Sequence, residues 1–216
     1  MKYKKISSLA LIPLITASSF VVSQEGADTK IEEVLVTGSY LKSSAKDGAS
    51  PIVIVDRENI DQMGAMTISD ITRNMTANSG SENVPDSFQS GSTQGTSNVN
   101  LRGLGLGSTL VLVNGRRNTL AAAVANDGSS FVDTSMIPAI AVERVEVLKE
   151  GAAAVYGSDA IAGVVNYITR SDFEGTEIGV FQQSTTSDSQ TDTQLSFLHG
   201  WADDNTNIVV AAQYMD

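Results

Sequence analysis

The residues with the strongest claim to chemistry are few, and most fail on spacing. Gly103-Leu104-Gly105-Leu106-Gly107 hints at a phosphate-cradling loop. Ser108 stands where the third glycine of the dinucleotide fingerprint belongs, and a β-prone run follows instead of a helix. No Gly-Lys-Ser/Thr phosphate loop and no Gly-x-Ser-x-Gly frame occurs. Asp203-Asp204-Asn205-Thr206-Asn207 follows a calcium loop for a few positions, then places Ile208 where the required glycine should be; it reads as a polar turn. His199 is the only histidine, and it shares an alternation face with Leu195 and Phe197. There is no cysteine, which removes disulfides, thiolate metal sites and thiol nucleophiles. No catalytic residue, metal site or cofactor is expected. The formal net charge is −11, and three of the lysines lie in the first five residues, so nucleic acid is not an expected partner.

The N-terminus reads as an export signal over residues 1–23. Lys2, Lys4 and Lys5 form a basic start, residues 6–22 are apolar with small side chains and Pro13, and Val21-Val22-Ser23 fits a cleavage site. The competing reading is a membrane anchor, against which stand the short run and its proline. No later segment holds the roughly 18 apolar residues of a spanning helix, so any later membrane crossing must use β-strands.

Residues 24–50 are polar and linker-like apart from a β-prone run near 31–38. Beyond them, residues 52–55 read as a strand and Asp56 as the cap of a short helix ending at Met63. Thr67 and Asp70 form a capping-box pattern; with Ile68, Ile71 and Met75 they predict an amphipathic helix over 67–75. Residues 78–98 and 118–130 are long polar loops. Further strands are expected at 99–102, 109–113, 142–148 and 164–169; Leu110-Val111-Leu112-Val113 has the continuous apolar character of a strand buried on both faces. Residues 51–170 therefore form one small mixed α/β (α+β) domain.

After Arg170 the period changes to two. Ile178 and Val180, then Leu195, Phe197 and Trp201, then Ile208, Val210, Ala212 and Tyr214 each share a face against polar neighbours. Strands of about nine alternating residues are a transmembrane-barrel signature. A soluble antiparallel meander gives the same alternation.

Three blocks together resemble the TonB-dependent outer-membrane receptors. They are Glu32-Glu33-Val34-Leu35-Val36-Thr37-Gly38; Leu101-Arg102-Gly103-Leu104-Gly105 with the run to Arg117; and Ile137-Pro138 through Glu143-Arg144-Val145-Glu146 to Tyr156-Gly157-Ser158-Asp159 and Asn166. The resemblance implies a plug domain over 51–170 and the first antiparallel strands of a transmembrane β-barrel over 171–216. It implies a TonB box in which Glu33, Val34, Leu35, Val36 and Thr37 bind TonB by strand addition. Arg102 and Arg144 match plug arginines that face glutamates on the barrel wall, beyond Asp216 here. Asn78, Ser79, Gln89, Asn126 and Asp127, in the two polar loops, would face a ligand: an iron chelate, cobalamin or a glycan. The expected place is the outer membrane of a Gram-negative bacterium, with plug and box towards the periplasm. A plugged barrel of about 22 strands needs far more chain than 171–216, so the sequence reads as the N-terminal part of a longer receptor. The alternative is a stand-alone periplasmic plug-like binding module that does not transport.

Overall fold

The structure, a computed structural model, describes residues 52–82, 93, 95–184, 191–203 and 206–215. The expected export signal, the TonB box at Glu33–Thr37 and Gln89 lie outside the described residues.

The first elements follow their end signals. β1 (Ile52–Asp56) runs directly into α1 (Arg57–Gln62), where the Asp56 carboxylate accepts the backbone N–H of Asn59 at 2.9 Å. α2 (Ile68–Asn74) starts on a reciprocal box: Thr67 Oγ1 accepts Asp70 N–H at 3.2 Å, and Asp70 Oδ2 accepts Thr67 N–H at 2.9 Å. The box fixes the helix phase, so Ile68, Ile71 and Thr72 turn inward.

The remaining plug elements are β2 (Thr109–Val113), β3 (Arg116–Arg117), β4 (Val142–Leu148), α3 (Ala153–Tyr156) and β5 (Gly163–Thr169). They assemble with β1 into a five-stranded sheet of order β1-β4-β5-β2-β3, in which only β2 and β5 run parallel. One face carries Val111, Val145, Val147, Val165 and Tyr167 against Ile60, Ile68 and Ile71 of the two helices. The other carries Leu110, Leu112, Leu148 and Val164 against Ala152 and Ala160. Four of the five residues of β2 are buried, as its unbroken apolar run requires. The β2–β3 turn uses Asn114 and Gly115 at φ 50° and 74°, the left-handed pair that a two-residue hairpin needs.

Residues 99–102 are not the strand that their pattern predicts. Val99 and Leu101 are buried in the helix-side core, but among the described residues only Leu101 makes a bridge, to Asn78. Both edges of β2 are already occupied, by β5 and β3. The Leu101 N–H is met instead by Thr109 Oγ1 at 3.0 Å, and the chain leaves the extended region at Arg102, φ 59°.

The second sheet is an antiparallel meander of β6 (Gly175–Ser184), β7 (Thr191–Asp203) and β8 (Thr206–Met215). Its register is unbroken, with Ile178 opposite Phe197 and Phe197 opposite Ala212.

Gly163 opens β5 at φ 137°, and a Cβ there would collide with the Leu148 carbonyl and lie 2.8 Å from Leu101 Cδ1. Gly163→Ala should therefore destabilise the plug by about 3 kcal/mol, read as a lowered urea midpoint; an unchanged midpoint would contradict this packing.

Candidate functional site

Three groups of polar residues are candidates for function. The first is a row on the α3 side of the plug sheet. Arg144, on β4, donates through Nε to Glu146 Oε1 at 3.0 Å. Glu146 is fully buried, and Asn166 Nδ2 donates to its other oxygen at 3.3 Å. Asn166 Oδ1 in turn accepts the Gly115 N–H at 2.9 Å, so the row reaches the β2–β3 turn. A buried carboxylate needs such neighbours, since desolvation without them is costly. Arg102 is exposed and donates to the carbonyls of Ile161 (3.2 Å) and Ala162 (3.1 and 3.3 Å). Both arginines matched to barrel glutamates thus have partners inside the plug. Arg144 holds a carboxylate two residues along its own strand, and Arg102 holds main-chain carbonyls.

The second group joins the two polar loops. Asn78 accepts Asn100 N–H through Oδ1 at 2.9 Å and donates to Ser81 Oγ at 3.0 Å, while the Ser79 N–H bonds to Asn100 O at 2.8 Å. These two expected ligand residues help fix the base of their loop. The Glu82 carboxylate accepts the Asn126 N–H at 3.1 Å, which brings the loops together. Asn126 and Asp127 are exposed. The Ser129 hydroxyl, then the Ser129 N–H, hold the Asp127 carboxyl below the usual carboxylate range.

Beneath the loops, Thr134 Oγ1 donates to Ser97 Oγ at 2.8 Å, and Asp133 accepts the Ser97 N–H at 3.0 Å. The Tyr167 hydroxyl lies 3.3 Å from Thr72 Oγ1, which also bonds to the Ile68 carbonyl. Burial pushes the Tyr167 phenol up to about 12, against opposing hydrogen bonds from Thr72 and Thr134. Loop bases, α2 and β5 are therefore joined by one buried hydroxyl network.

The third group was missed by the sequence reading. Arg170 closes the plug: its N–H bonds to Ala141 O at 2.8 Å, its guanidinium meets Glu177 at 2.7 Å and Glu143 at 3.8 Å, and it lies 4.3 Å over the Phe173 ring. Gln213, on β8, accepts the Ala139 N–H at 3.0 Å and donates to Met66 O at 3.4 Å. Gly200 lets β7 approach the Phe173 carbonyl more closely than any side chain would allow. The available signal was the alternation itself, which sets Gln213 and Gly200 opposite the apolar stripe.

That stripe faces away from the plug. Ile178 is 71% exposed, Val180 66% and Trp201 54%, with Leu195, Phe197, Ile208, Val210 and Tyr214 beside them. Gln194, Ser196 and Leu198 on the opposite face are buried. His199 lies on the outward face, with Nδ1 2.8 Å from Thr176 Oγ1. Gly105 leads into a single 3-10 turn (Leu106–Ser108) and then β2, so no helix N-terminus meets the glycine loop.

The family model of the TonB-dependent receptor plug domain matches residues 44–164. The chain belongs to the TonB-dependent receptor plug family. A mutant form of the ferric enterobactin receptor of Pseudomonas aeruginosa, solved with enterobactin, is 27% identical at a TM-score of 0.59; the match covers 78% of this chain and 25% of that one. The siderophore receptor PirA of Acinetobacter baumannii is 25% identical at 0.57, with 79% and 25% covered. The complex of FpvAI with pyocin S2 shares 18% identity at 0.57 over 84% and 22%, a likeness of fold alone. The chain spans about a quarter of the length of these receptors. Its mixed sheet and the antiparallel strands after it follow the plug and barrel of the TonB-dependent receptor fold.

Two predictions follow from the plug's buried groups. Arg144→Met removes the guanidinium from buried Glu146 and should cost about 2 kcal/mol, less than a fully buried pair because the Arg144 side chain keeps 23% of its exposure. Arg144→Met with Glu146→Gln should recover most of the loss in equilibrium unfolding. For Tyr167, the folded state keeps a proton that the unfolded chain releases near its ordinary value of 10.0. The stabilisation is complete below pH 10 and is lost as the pH rises towards 12. Tyr167→Phe should flatten the slope of stability against pH in that window; an unaltered slope would show that another group causes it.

Proposed function

We propose that the chain is the plug end of an outer-membrane receptor that imports a scarce ligand with energy delivered by TonB. The observation that carries this reading is the inverted sheet β6–β8. Its polar face lies against the plug and its apolar face points out, the reverse of a soluble meander and the arrangement of strands in lipid. In this reading residues 1–23 direct export, 24–50 carry the coupling peptide, 51–170 form the plug and 171–216 begin the barrel. The plug and box face the periplasm.

The proposed ligand is a ferric siderophore, the class named for two of the similar receptors. It would meet the joined loops, with Asn126 and Asp127 exposed and Gln89 on the same stretch as Asn78 and Ser79. Arg102 and Arg144 would pair with wall glutamates once the barrel closes, while keeping the plug partners described above. Glu33, Val34, Leu35, Val36 and Thr37 would add as a strand to a sheet edge of TonB, main-chain hydrogen bonds supplying the affinity.

Val34→Pro removes an N–H and blocks strand pairing. In the full receptor it should abolish capture by the TonB C-terminal domain and stop uptake, with ferric siderophore binding unchanged. Undiminished TonB capture would sink the box assignment, and uptake that persists in cells lacking TonB would sink the transporter.

A further inference from the structure

The β2–β3 turn carries a dipeptide prone to rearrange its own backbone. Asn114-Gly115 is the single Asn-Gly pair in residues 1–216. In such a pair the glycine nitrogen, with no side chain to shield it, can attack the asparagine amide carbon. The nitrogen's proton passes through water to the departing amide, which leaves as ammonia, and a five-membered succinimide closes. Water then opens the ring at one carbonyl or the other, giving aspartate or isoaspartate. The fold makes this pair hard to avoid. Both residues are left-handed, at φ 50° and 74°, and Asn-Gly is a favoured pair for such a two-residue turn. Asn114 is exposed, so water reaches it.

β5 holds the pair in a shape that cannot react. The Gly115 N–H donates to Asn166 Oδ1 at 2.9 Å, which guards the proton whose loss would make the nitrogen a nucleophile. Thr169 holds the Asn114 amide at both atoms: Nδ2 donates to Thr169 Oγ1 at 2.9 Å, and Oδ1 accepts the Thr169 N–H at 2.9 Å. The Asn114 N–H is bonded to the Tyr167 carbonyl, also at 2.9 Å. Ring closure swings the amide carbon to the glycine nitrogen, so the Thr169 and Asn166 bonds must break together. Asp127-Gly128, another described pair of related chemistry, is restrained differently: the Ser129 hydroxyl and N–H favour its ionised carboxylate, a poor leaving group. We propose that Asn114-Gly115 is a latent self-modification site, silent while β5 clamps the turn and converted to aspartate or isoaspartate, without an enzyme, when the turn comes away. The conversion is one-way, because the ammonia is lost. Aspartate keeps an acceptor for the Thr169 N–H. Isoaspartate adds a carbon to the main chain, and the turn that pairs Val113 with Arg116 then no longer closes in register.

Trypsin cuts after Arg102 and Arg116, and Asn114 is the single amide side chain in the peptide between them. The full receptor in detergent and a synthetic peptide of residues 103–116 are aged together at mildly alkaline pH. Mass spectrometry after denaturing digestion then follows the conversion of amide to carboxylate. The folded receptor should react more slowly than the peptide by about tenfold or more, the protection expected of a clamped segment. Equal rates would overturn the clamp, and a peptide that gains no mass would overturn the reactivity. Asn166→Ala frees the Gly115 N–H, and Thr169→Val removes the hydroxyl partner of the Asn114 amide at nearly constant shape. Each should raise the folded rate about fivefold, the worth of one net hydrogen bond. Thr169→Val carries the test if Asn166→Ala fails to assemble, and an unchanged rate in the folded variants would overturn the role of β5. In aged receptor, backbone hydrogens over residues 109–117 should exchange faster in isoaspartate-bearing molecules than in unmodified ones of the same sample. Equal exchange would overturn the lasting release of the turn.

Discussion

Gln194, Ser196 and Gln213 lie on the inner face of strands whose outer face is apolar, and everything around them depends on that inversion. A sheet facing hydrocarbon cannot leave main-chain groups unpaired, so its strands must be long, continuous and joined in register. Where β6, β7 and β8 join they are of this kind, with every residue of β6 opposite one of β7. Their polar inner face then needs polar company. The plug supplies it through main-chain groups, at Ala139 and Met66, and through one charged side chain, Arg170.

Those partners follow from how the plug is built. Ala139 lies in a turn of 3-10 helix that leads into β4, where backbone groups are free to be offered outward. Met66 lies just before the capping box that starts α2. The wall thus reads element ends, where helices and strands leave donors and acceptors over. Plug side chains are kept for the plug's own needs, as with Arg57 and the Arg144–Glu146 pair.

The sequence disclosed the elements whose signals are local. The Thr67 and Asp70 box, the apolar run of β2 and the period-two pattern after Arg170 each appear where expected, within a residue or two. Residues 99–102 misled because alternation reports burial, not pairing. Val99 and Leu101 do face the core, but both edges of β2 are taken, by β5 and β3. Arg170 and Gln213 went unnoticed because, Glu177 apart, their polar partners are 27 to 147 residues away and mostly main-chain atoms, which leave no trace in residue type. Arg144 was legible as a charge needing a partner, but that partner was expected on the barrel wall and not in Glu146, two positions on. Only its complete burial shows otherwise.

The placement of β1 has a consequence for assembly. Among the described strands β1 pairs only with β4, so Ile52 lies opposite Leu148 and Asp56 opposite Arg144. The first strand of the plug has no edge to join until a segment far along the chain has been made. β4 in turn needs β5, whose parallel mate β2 precedes both. Such non-local pairing is slow to form because loop closure must precede its reward. The plug sheet therefore closes late and nearly all at once, after Thr169, when the first wall strand is next to emerge. A nascent chain of this design stays open, with its valines unsheltered, for most of its synthesis, and depends on whatever escorts it until then.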